Sequence, residues 1–479
     1  MVNRLSLATL PLLKERTDVR IPAFDPAGLR CGIVHLGVGA FHRAHQAVFT
    51  EDALDGEQWG ICGYTQRSAA VREQLAPQDG LYTVLERGPG AGVPRVIGVL
   101  REVYTAGDDP ARRLADADVR LVTLTVTEKG YRAGPDGHLN LADELVQGDI
   151  SGQHYLPRTV VGQLVAGLAL RRAQNGAPMS ILSCDNLSGN GTALRRLVLD
   201  FCAALPGGDG LAGWIDEHVA FPSSVVDRIV PATRDEDRDE VQGILGLHDA
   251  GTVVAEPFSQ WVVEDHFFAG RPAWERAGVV LATDVTPYEQ AKLRLLNGTH
   301  SLLAYTGALA GYETIDEALA DPEIAAAAHA LMEQDAAPTL RMPDDFDLPG
   351  YQASILERFT NTAIRYQTTK VAMDGSMKLP IRLLATVRDR LADGAEPRWA
   401  ALGVAAWMVY VARGTTRDGR PLPLDDPLAE GLRLAVAGRS TPAGIVEGLL
   451  AVRQVFGDDL GANPVFRALL VDHVARLTR

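Results

Sequence analysis

The sequence predicts an α/β fold: a parallel sheet wrapped by helices in the first half, followed by a mainly α-helical second half. Three observations predict it. Short apolar, β-branched runs alternate with helical patterns up to about residue 285, as in a sheet buried on both faces. A glycine pair, Gly37 and Gly39, stands where the first such run gives way to a helix. From Pro287 onward the pattern is almost entirely helical. The chain has 479 residues, long enough for one to three domains, and the change in pattern divides it into domains 1–285 and 286–479.

The strand candidates are Cys31 to Leu36, Trp59 to Tyr64, Val119 to Val126 and Met179 to Ser183. A helix carrying Ala44, Ala47, Val48 and Ala53 follows the first. The second half reads as helices over Lys292 to Ala310, Pro322 to Ala336, Tyr351 to Phe359, Lys378 to Leu391, Arg398 to Ala412 and Pro442 to Phe456. Loop punctuation falls at residues 341–345 and at Asp374-Gly375-Ser376.

Hydrophobic residues make up 46% and charged residues 22% of the chain, the balance of a soluble globular protein. The net charge of −15 argues against nucleic acid or an anionic membrane as main partner, since both need a basic face. The four cysteines, Cys31, Cys62, Cys184 and Cys202, show no C-x-x-C spacing, which argues against a zinc knuckle or a redox dithiol. Their scarcity fits a reducing cytoplasm. No apolar run approaches the roughly 20 residues that span a bilayer. Arg4 followed by Leu5 to Leu13 resembles a signal core, but Ser6, Thr9 and Pro11 interrupt it and no small-residue cleavage site follows. A cytoplasmic protein, monomeric or a small homo-oligomer, is expected.

Gly37-Val38-Gly39-Ala40-Phe41-His42-Arg43 carries the first chemical signal. In a Rossmann-type dinucleotide fold the first glycine permits the turn and the second lets the backbone approach the pyrophosphate at a helix N-terminus. The third glycine is missing, and His42 takes its place. A βα turn without ligand has the same short pattern. After the second strand, Tyr64-Thr65-Gln66-Arg67-Ser68 has no acidic residue for the adenosine ribose. Arg67 suits a 2′-phosphate or is simply solvated, so NAD is expected with NADP as the alternative.

The second signal is Pro287 to His300, PYEQAKLRLLNGTH. At about 100° per residue, Glu289, Lys292, Asn297 and His300 share one broad arc with Leu293 and Leu296, while Leu295 points away. Such a mixed face suits a partly dry cleft. A desolvated lysine is a proton shuttle near neutral pH, an asparagine amide steadies a developing alkoxide, and a histidine holds a hydroxyl. An ordinary half-buried helix with a Glu289–Lys292 pair reads the same way. Tyr288-x3-Lys292 has the spacing of short-chain dehydrogenases. The chain is about twice too long for that family, its turn is poorer in glycine, and the expected upstream serine is absent from 275–279.

Gly37 to His45, Val226 to Pro231, Trp261 to Asp265 with Gly270-Arg271-Pro272, Lys292-x4-Asn297-x2-His300 and Asp374-Gly375-Ser376-x-Lys378 together resemble the mannitol dehydrogenase family. These are the polyol-specific long-chain dehydrogenases, including mannitol 2-dehydrogenase and fructuronate reductase. The likeness runs in order from about residue 28 to beyond 410. It implies metal-independent hydride transfer between a secondary alcohol and a nicotinamide. It implies further that Lys292 is the general acid/base, that Asn186 and Asn297 form an oxyanion hole, and that His300 holds substrate. Asp227 would contact sugar hydroxyls, and Glu289 would assist proton exchange near the lysine. Asn186 lies just past a strand, where it or Asn190 would alternatively cap the next helix. Gly37, Val38, Gly39, Ala40, Phe41, Arg43 and Arg67 are the cofactor-binding candidates.

The chain departs from mannitol dehydrogenases at Lys370, where they carry an arginine that touches substrate; a planar bidentate donor becomes a point charge. Ala372-Met373-Asp374-Gly375-Ser376 and Asn297 to Ser301 lean toward fructuronate reductase, and Lys370, Arg365 or Lys378 would then meet a carboxylate. His42-x2-His45 has a metal-compatible spacing without a third ligand nearby, so no metal is expected. The expected activity is NAD(P)-dependent interconversion of D-mannitol and D-fructose. Fructuronate reductase (D-mannonate oxidoreductase) or another polyol such as arabinitol is the first alternative. A catalytically inactive dinucleotide-binding regulator is the second.

Overall fold

The computed structural model describes residues 3–479; Met1 and Val2, the start of the expected first domain, lie outside the described residues. The chain divides into two compact units, Met1–Val285 and Thr286–Arg479.

The N-terminal unit is built on a six-stranded sheet. Its strands are β1 (Cys31–Leu36), β2 (Gly60–Thr65), β3 (Leu100–Thr105), β4 (Leu121–Leu124), β5 (Met179–Ser183) and β6 (Val219–Ala220). All neighbours run parallel, in the order β3-β2-β1-β4-β5-β6. Successive residues enter opposite cores. Val34 and Leu36 of β1, with Val122 and Leu124 of β4, face one cluster; Ile33 and Leu121 face the other. Burial on both faces is why these strands read as continuous apolar runs. Short helices α1 (Ala40–Ala44) and α2 (Gln46–Asp52) follow β1, and the longer α3 (Val160–Gln174) and α4 (Asn190–Ala204) flank β5. A small sheet of β7 (Ser224–Asp227), β8 (Gln260–Glu264) and β9 (Val280–Ala282) completes what the site needs.

Strand β3 was not visible in the sequence. Arg101 and Glu102 interrupt its apolar residues, because it lies at the end of the sheet with only β2 beside it. The signal-like leucines Leu5, Leu10 and Leu13 are buried against Leu81, Leu85 and Leu245 of the same unit. No helix among the described residues is long and apolar enough to cross a membrane.

The C-terminal unit is helical. Helix α5 (Thr286–Ala291) runs into α6 (Gly298–Ala310); then come α7 (Leu348–Phe359), α8 (Thr368–Val371), α9 (Gly375–Leu379) and α10 (Arg398–Arg413). Helices α6 and α10 are buried nearly all round. Three predicted helices are not purely α. Lys292–Asn297, Leu331–Ala336 and Pro380–Leu384 are π-helical, a local widening to i→i+5 bonding that the 3.6-residue repeat does not anticipate. The first and third abut closely: a Cβ added at Gly298 would stand 2.9 Å from the Arg382 carbonyl oxygen.

Gly298→Ala tests that approach. Helix propensity alone favours alanine by about 1 kcal/mol, but the overpacked methyl costs about 1–3 kcal/mol. A lower melting temperature than wild type is expected; a rise would mean that the two π segments are not pressed together.

Candidate active site

The sequence-predicted site residues fall in two groups, one on each unit. On the N-terminal unit the chain leaves β1 through Gly37, whose φ of +101° and approach to the Thr125 carbonyl exclude a side chain: a Cβ would lie 2.2 Å from that oxygen. The Gly37 and Val38 amides both donate to the Tyr64 carbonyl, at 2.8 and 3.2 Å. Gly39 precedes α1 and differs in kind. The nearest atom to a Cβ added there is the Gly37 oxygen at 3.7 Å, so its missing side chain leaves the first amides of α1 open to a ligand. A pyrophosphate fits such a turn.

His42 solves the problem of the missing third glycine. Its fully buried ring stacks on His35 at 3.5 Å, nearly parallel. His35 in turn bonds Thr123 and Thr125 at 2.8 and 2.9 Å. A flat ring-on-ring contact thus joins α1 to β1 where a glycine usually permits close packing. Burial holds His35 down to about 3 and His42 well below its ordinary value. His45 is occupied by the Gln260 carbonyl at 2.8 Å and Gln46 at 3.0 Å.

Two cofactor candidates carry their side chains inward. The Arg43 side chain turns inward, bonding the Gly39 carbonyl at 3.2 Å and the Gly251 carbonyl, and is 5% exposed. It braces the turn from behind and does not offer its guanidinium outward. The Val38 side chain is core, in the space left by Gly63 of β2. Ala40 and Phe41 are half-buried at the start of α1, with Phe41 stacked on His45. Arg67 is exposed just beyond β2 and donates to Thr127 at 3.0 Å.

Asp185 ties the carboxyl ends of β4 and β5 together. Its carboxylate accepts from the Val126 and Thr127 amides, both at 2.9 Å, and from the Tyr131 hydroxyl at 2.7 Å. Its burial raises its pKa. The next residue, Asn186, is exposed on the loop before α4. Neither asparagine caps that helix by its side chain: the cap position is Gly189. Asn190 is buried and bonds the Asp185 and Ser224 carbonyls at 3.0 and 2.8 Å and the Ser224 amide at 2.9 Å. Asp227 ends β7, 6% exposed, opposite Gln260 of β8. Sequence reasoning missed Asp185 and Tyr131, because a carboxylate bonded to backbone has no spacing signature.

On the C-terminal unit Glu289 lies in α5, Lys292 opens the π segment and Asn297 closes it. In an α-helix, residues five apart diverge by about 140°. A π turn, with i→i+5 bonding, takes in more residues per turn and narrows that angle, so the α-helical arc overstates the divergence of Lys292 and Asn297. Lys292 is 8% exposed and Asn297 half-buried.

His300, in the first turn of α6, lies against Phe359 at 4.9 Å and stacks on Tyr366 at 5.1 Å. Its Nε2 is buried with no hydrogen-bond partner among the described residues. Burial, then the charges of Arg382, Arg358 and Lys378, hold it well below its ordinary pKa. Arg382 donates to Ser301 at 3.2 Å. Lys378 donates to the Met373 carbonyl at 2.6 Å, which anchors the turn between α8 and α9. Lys370 is exposed on α8. Arg358 and Arg382 were not singled out in the sequence.

Open parallel sheets of this strand order take their ligands at the carboxyl ends of the strands, and a glycine turn there serves a dinucleotide; the N-terminal unit is of the Rossmann class. The chain belongs to the mannitol dehydrogenase family and is an oxidoreductase. Residues 31–276 match the mannitol dehydrogenase Rossmann domain and residues 284–478 the mannitol dehydrogenase C-terminal domain. The chain is 41% identical to D-mannonate oxidoreductase of Escherichia coli K12 over 465 residues, 95% of each protein. It is 39% identical to mannitol 2-dehydrogenase of Cereibacter sphaeroides over 460 residues, 94% of each. Among solved structures, it matches the ternary complex of Pseudomonas fluorescens mannitol 2-dehydrogenase with NAD and D-mannitol, with a TM-score of 0.86 and 38% identity, covering 99% of this chain and 97% of that one.

The histidines give a pH prediction. Unfolded, an imidazole titrates at its ordinary 6.5; folded, His35, His42 and His300 stay neutral well below it. The unfolded chain therefore binds the extra protons, so stability holds above pH 6.5 and falls below it, by up to about 1.4 kcal/mol per pH unit per histidine. Urea melts at pH 7, 6 and 5 are expected to show this loss, with a shallower slope in His300→Gln. An unchanged slope would mean that His300 protonates in the folded state.

Proposed function

We propose that this chain is an NAD(P)-dependent, metal-independent oxidoreductase that interconverts a hexitol and its ketose, D-mannitol and D-fructose in the leading reading. The observation that supports it is Lys292, buried at the start of a π turn that ends at Asn297. The N-terminal domain, 1–285, is proposed to hold the dinucleotide and the helical domain, 286–479, to hold substrate. The Gly37–Gly39 turn and the amides of α1 would take the pyrophosphate, with Arg67 beside the adenosine ribose. The bound nicotinamide accepts or supplies the hydride. NAD is the expected form, being the dinucleotide in the Pseudomonas fluorescens complex, and NADP is the alternative.

The rest is done by the chain's own side chains. In the oxidative direction Lys292 Nζ, as the neutral amine, takes the proton of the reacting hydroxyl. The amides of Asn297 and Asn186 donate to the oxygen while it carries negative charge. Glu289, one turn before Lys292, passes the proton on toward water. His300 Nε2, buried and lacking a protein partner among the described residues, bonds a substrate hydroxyl, and Asp227 another. Because an amine carries the proton, no Lewis acid is required.

A second reading, reduction of fructuronate to D-mannonate, has its own support: the cations Arg382 and Arg358 act on His300, and Lys370 adds a point charge on α8, while Lys378 is common to both readings. Such surroundings favour a substrate carboxylate. A relative at 41% identity is named D-mannonate oxidoreductase. The protein is proposed to act in the cytoplasm as a monomer or small homo-oligomer.

Nicotinamide absorbance followed with mannitol, arabinitol, fructose and fructuronate, each with NAD and NADP, decides among these. Turnover confined to fructuronate selects the second reading, and none with any substrate selects the inactive regulator. Lys292→Ala is expected to lower kcat by about 10²–10⁴-fold while cofactor binding, read by fluorescence titration, survives; an active variant removes the role given to Lys292. Activity is expected to withstand dialysis against a chelator. Loss restored by added zinc would overturn the metal-free chemistry.

A further inference from the structure

At the amino-terminal end of the sheet, away from the glycine turn, three strands bring reactive groups together. Cys31 opens β1 and pairs with Gly60; Val34 pairs with Cys62; and Cys62 pairs with Glu102 of β3. The register shifts between Cys31 and Ile33. That bulge requires Gly32, where a Cβ would fall 1.8 Å from the Gln58 carbonyl oxygen. It turns Cys31 to the same face as Cys62, and both pack with the same core cluster.

The Cys31 and Cys62 sulfurs are 2.9 Å apart. Cys62 donates to Glu102 at 2.8 Å, and Arg113 donates to Cys62 at 3.1 Å and to Glu102 at 2.7 Å. Cys31 is partly exposed, whereas Cys62 is fully buried.

We propose that Cys31 and Cys62 form a peroxide-reactive dithiol that closes reversibly into a disulfide between β1 and β2. A redox-sensing thiol needs access, thiolate character and a resolving partner. Cys31 has the access, Arg113 supplies the positive charge, and Cys62 is the partner. The hydrogen bond with Cys62, aided by Arg113, draws the Cys31 thiol below its ordinary pKa.

The step balances with a hydroperoxide as oxidant. The Cys31 thiolate attacks the O–O bond, leaving Cys31 as a sulfenic acid and releasing the alcohol, or water from hydrogen peroxide. Cys62 passes its proton to Glu102 and attacks the Cys31 sulfur, forming the S–S bond. The departing hydroxide takes that proton and leaves as water. Two thiols lose two electrons to one peroxide. The sulfurs must close by less than about 1 Å to reach the roughly 2.05 Å bond length.

The same donors also suggest a metal, since Cys31, Cys62 and Glu102 offer ligand atoms within 4.8 Å of one another. Arg113 argues against it: a fixed positive charge already bonds two of the three donors.

The test treats the reduced full-length protein with a few equivalents of hydrogen peroxide, followed by thiol counting, intact mass and peptide mapping. Two of the four thiols are expected to disappear with a mass loss of two hydrogens. The crosslinked peptides should contain Cys31 and Cys62, Cys184 and Cys202 should stay reduced, and dithiothreitol should restore the pair. In Cys62→Ser the Cys31 sulfenic acid should persist and be trapped by dimedone. The wild-type map needs no variant to fold. Survival of both thiols, pairing with Cys184 or Cys202, or oxidation without crosslinking overturns the proposal. So does one zinc per chain retained through dialysis and lost in Cys31→Ser, which would make the cluster a metal centre.

Discussion

The widened backbone turn from Lys292 to Asn297 is the constraint on which the placement of the proposed site residues in the helical unit depends. A π segment is rare and occurs mostly as a single turn inside an α-helix, frequently at functional sites. Here the surroundings are visible. Leu295 and Leu296 are buried on the segment itself, Gly298 meets the Arg382 carbonyl, and Pro380 begins the third π turn, which lacks one amide from the start. Arg294 anchors the Lys292–Asn297 turn through Asp389 at 2.6 Å. The segment is thereby held between neighbours that fix where Lys292 and Asn297 stand.

Charge is distributed against the average. A chain with a net charge of −15 gathers Arg358, Arg382 and Lys378 around one imidazole and keeps that imidazole uncharged. A protonated His300 would add a fourth positive charge beside them. The neutral ring retains one donor and one acceptor, which suits recognition of a hydroxyl. These cations come from α7 and from α9 with the third π turn, which directly continues it.

What the sequence revealed follows from what is periodic. Strands buried on both faces announced the sheet, and Pro287 to His300 announced the helix with the lysine. The failures have physical causes. Strand β3 hid behind Arg101 and Glu102. A repeat of 3.6 residues misplaced Asn297 relative to Lys292, because the backbone there is not α-helical. The glycine motif drew attention to Val38 and Arg43, yet such turns bind through backbone amides, and both side chains face inward. Thirty-one residues separate Cys31 from Cys62, and only strand pairing across a bulge makes them neighbours. The roles of the site residues came from family resemblance. The structure contributes burial, partners and the π turn.

The imidazole pair beneath α1 bears on how this protein should be engineered. At position 42 a consensus approach would install the familiar small residue of dinucleotide turns. That substitution would remove the ring lying flat on His35 and open a void under the very amides a phosphate needs. The departure from the usual fingerprint is itself a packing solution, and restoring the commoner letter would loosen the floor of the pocket it was meant to perfect.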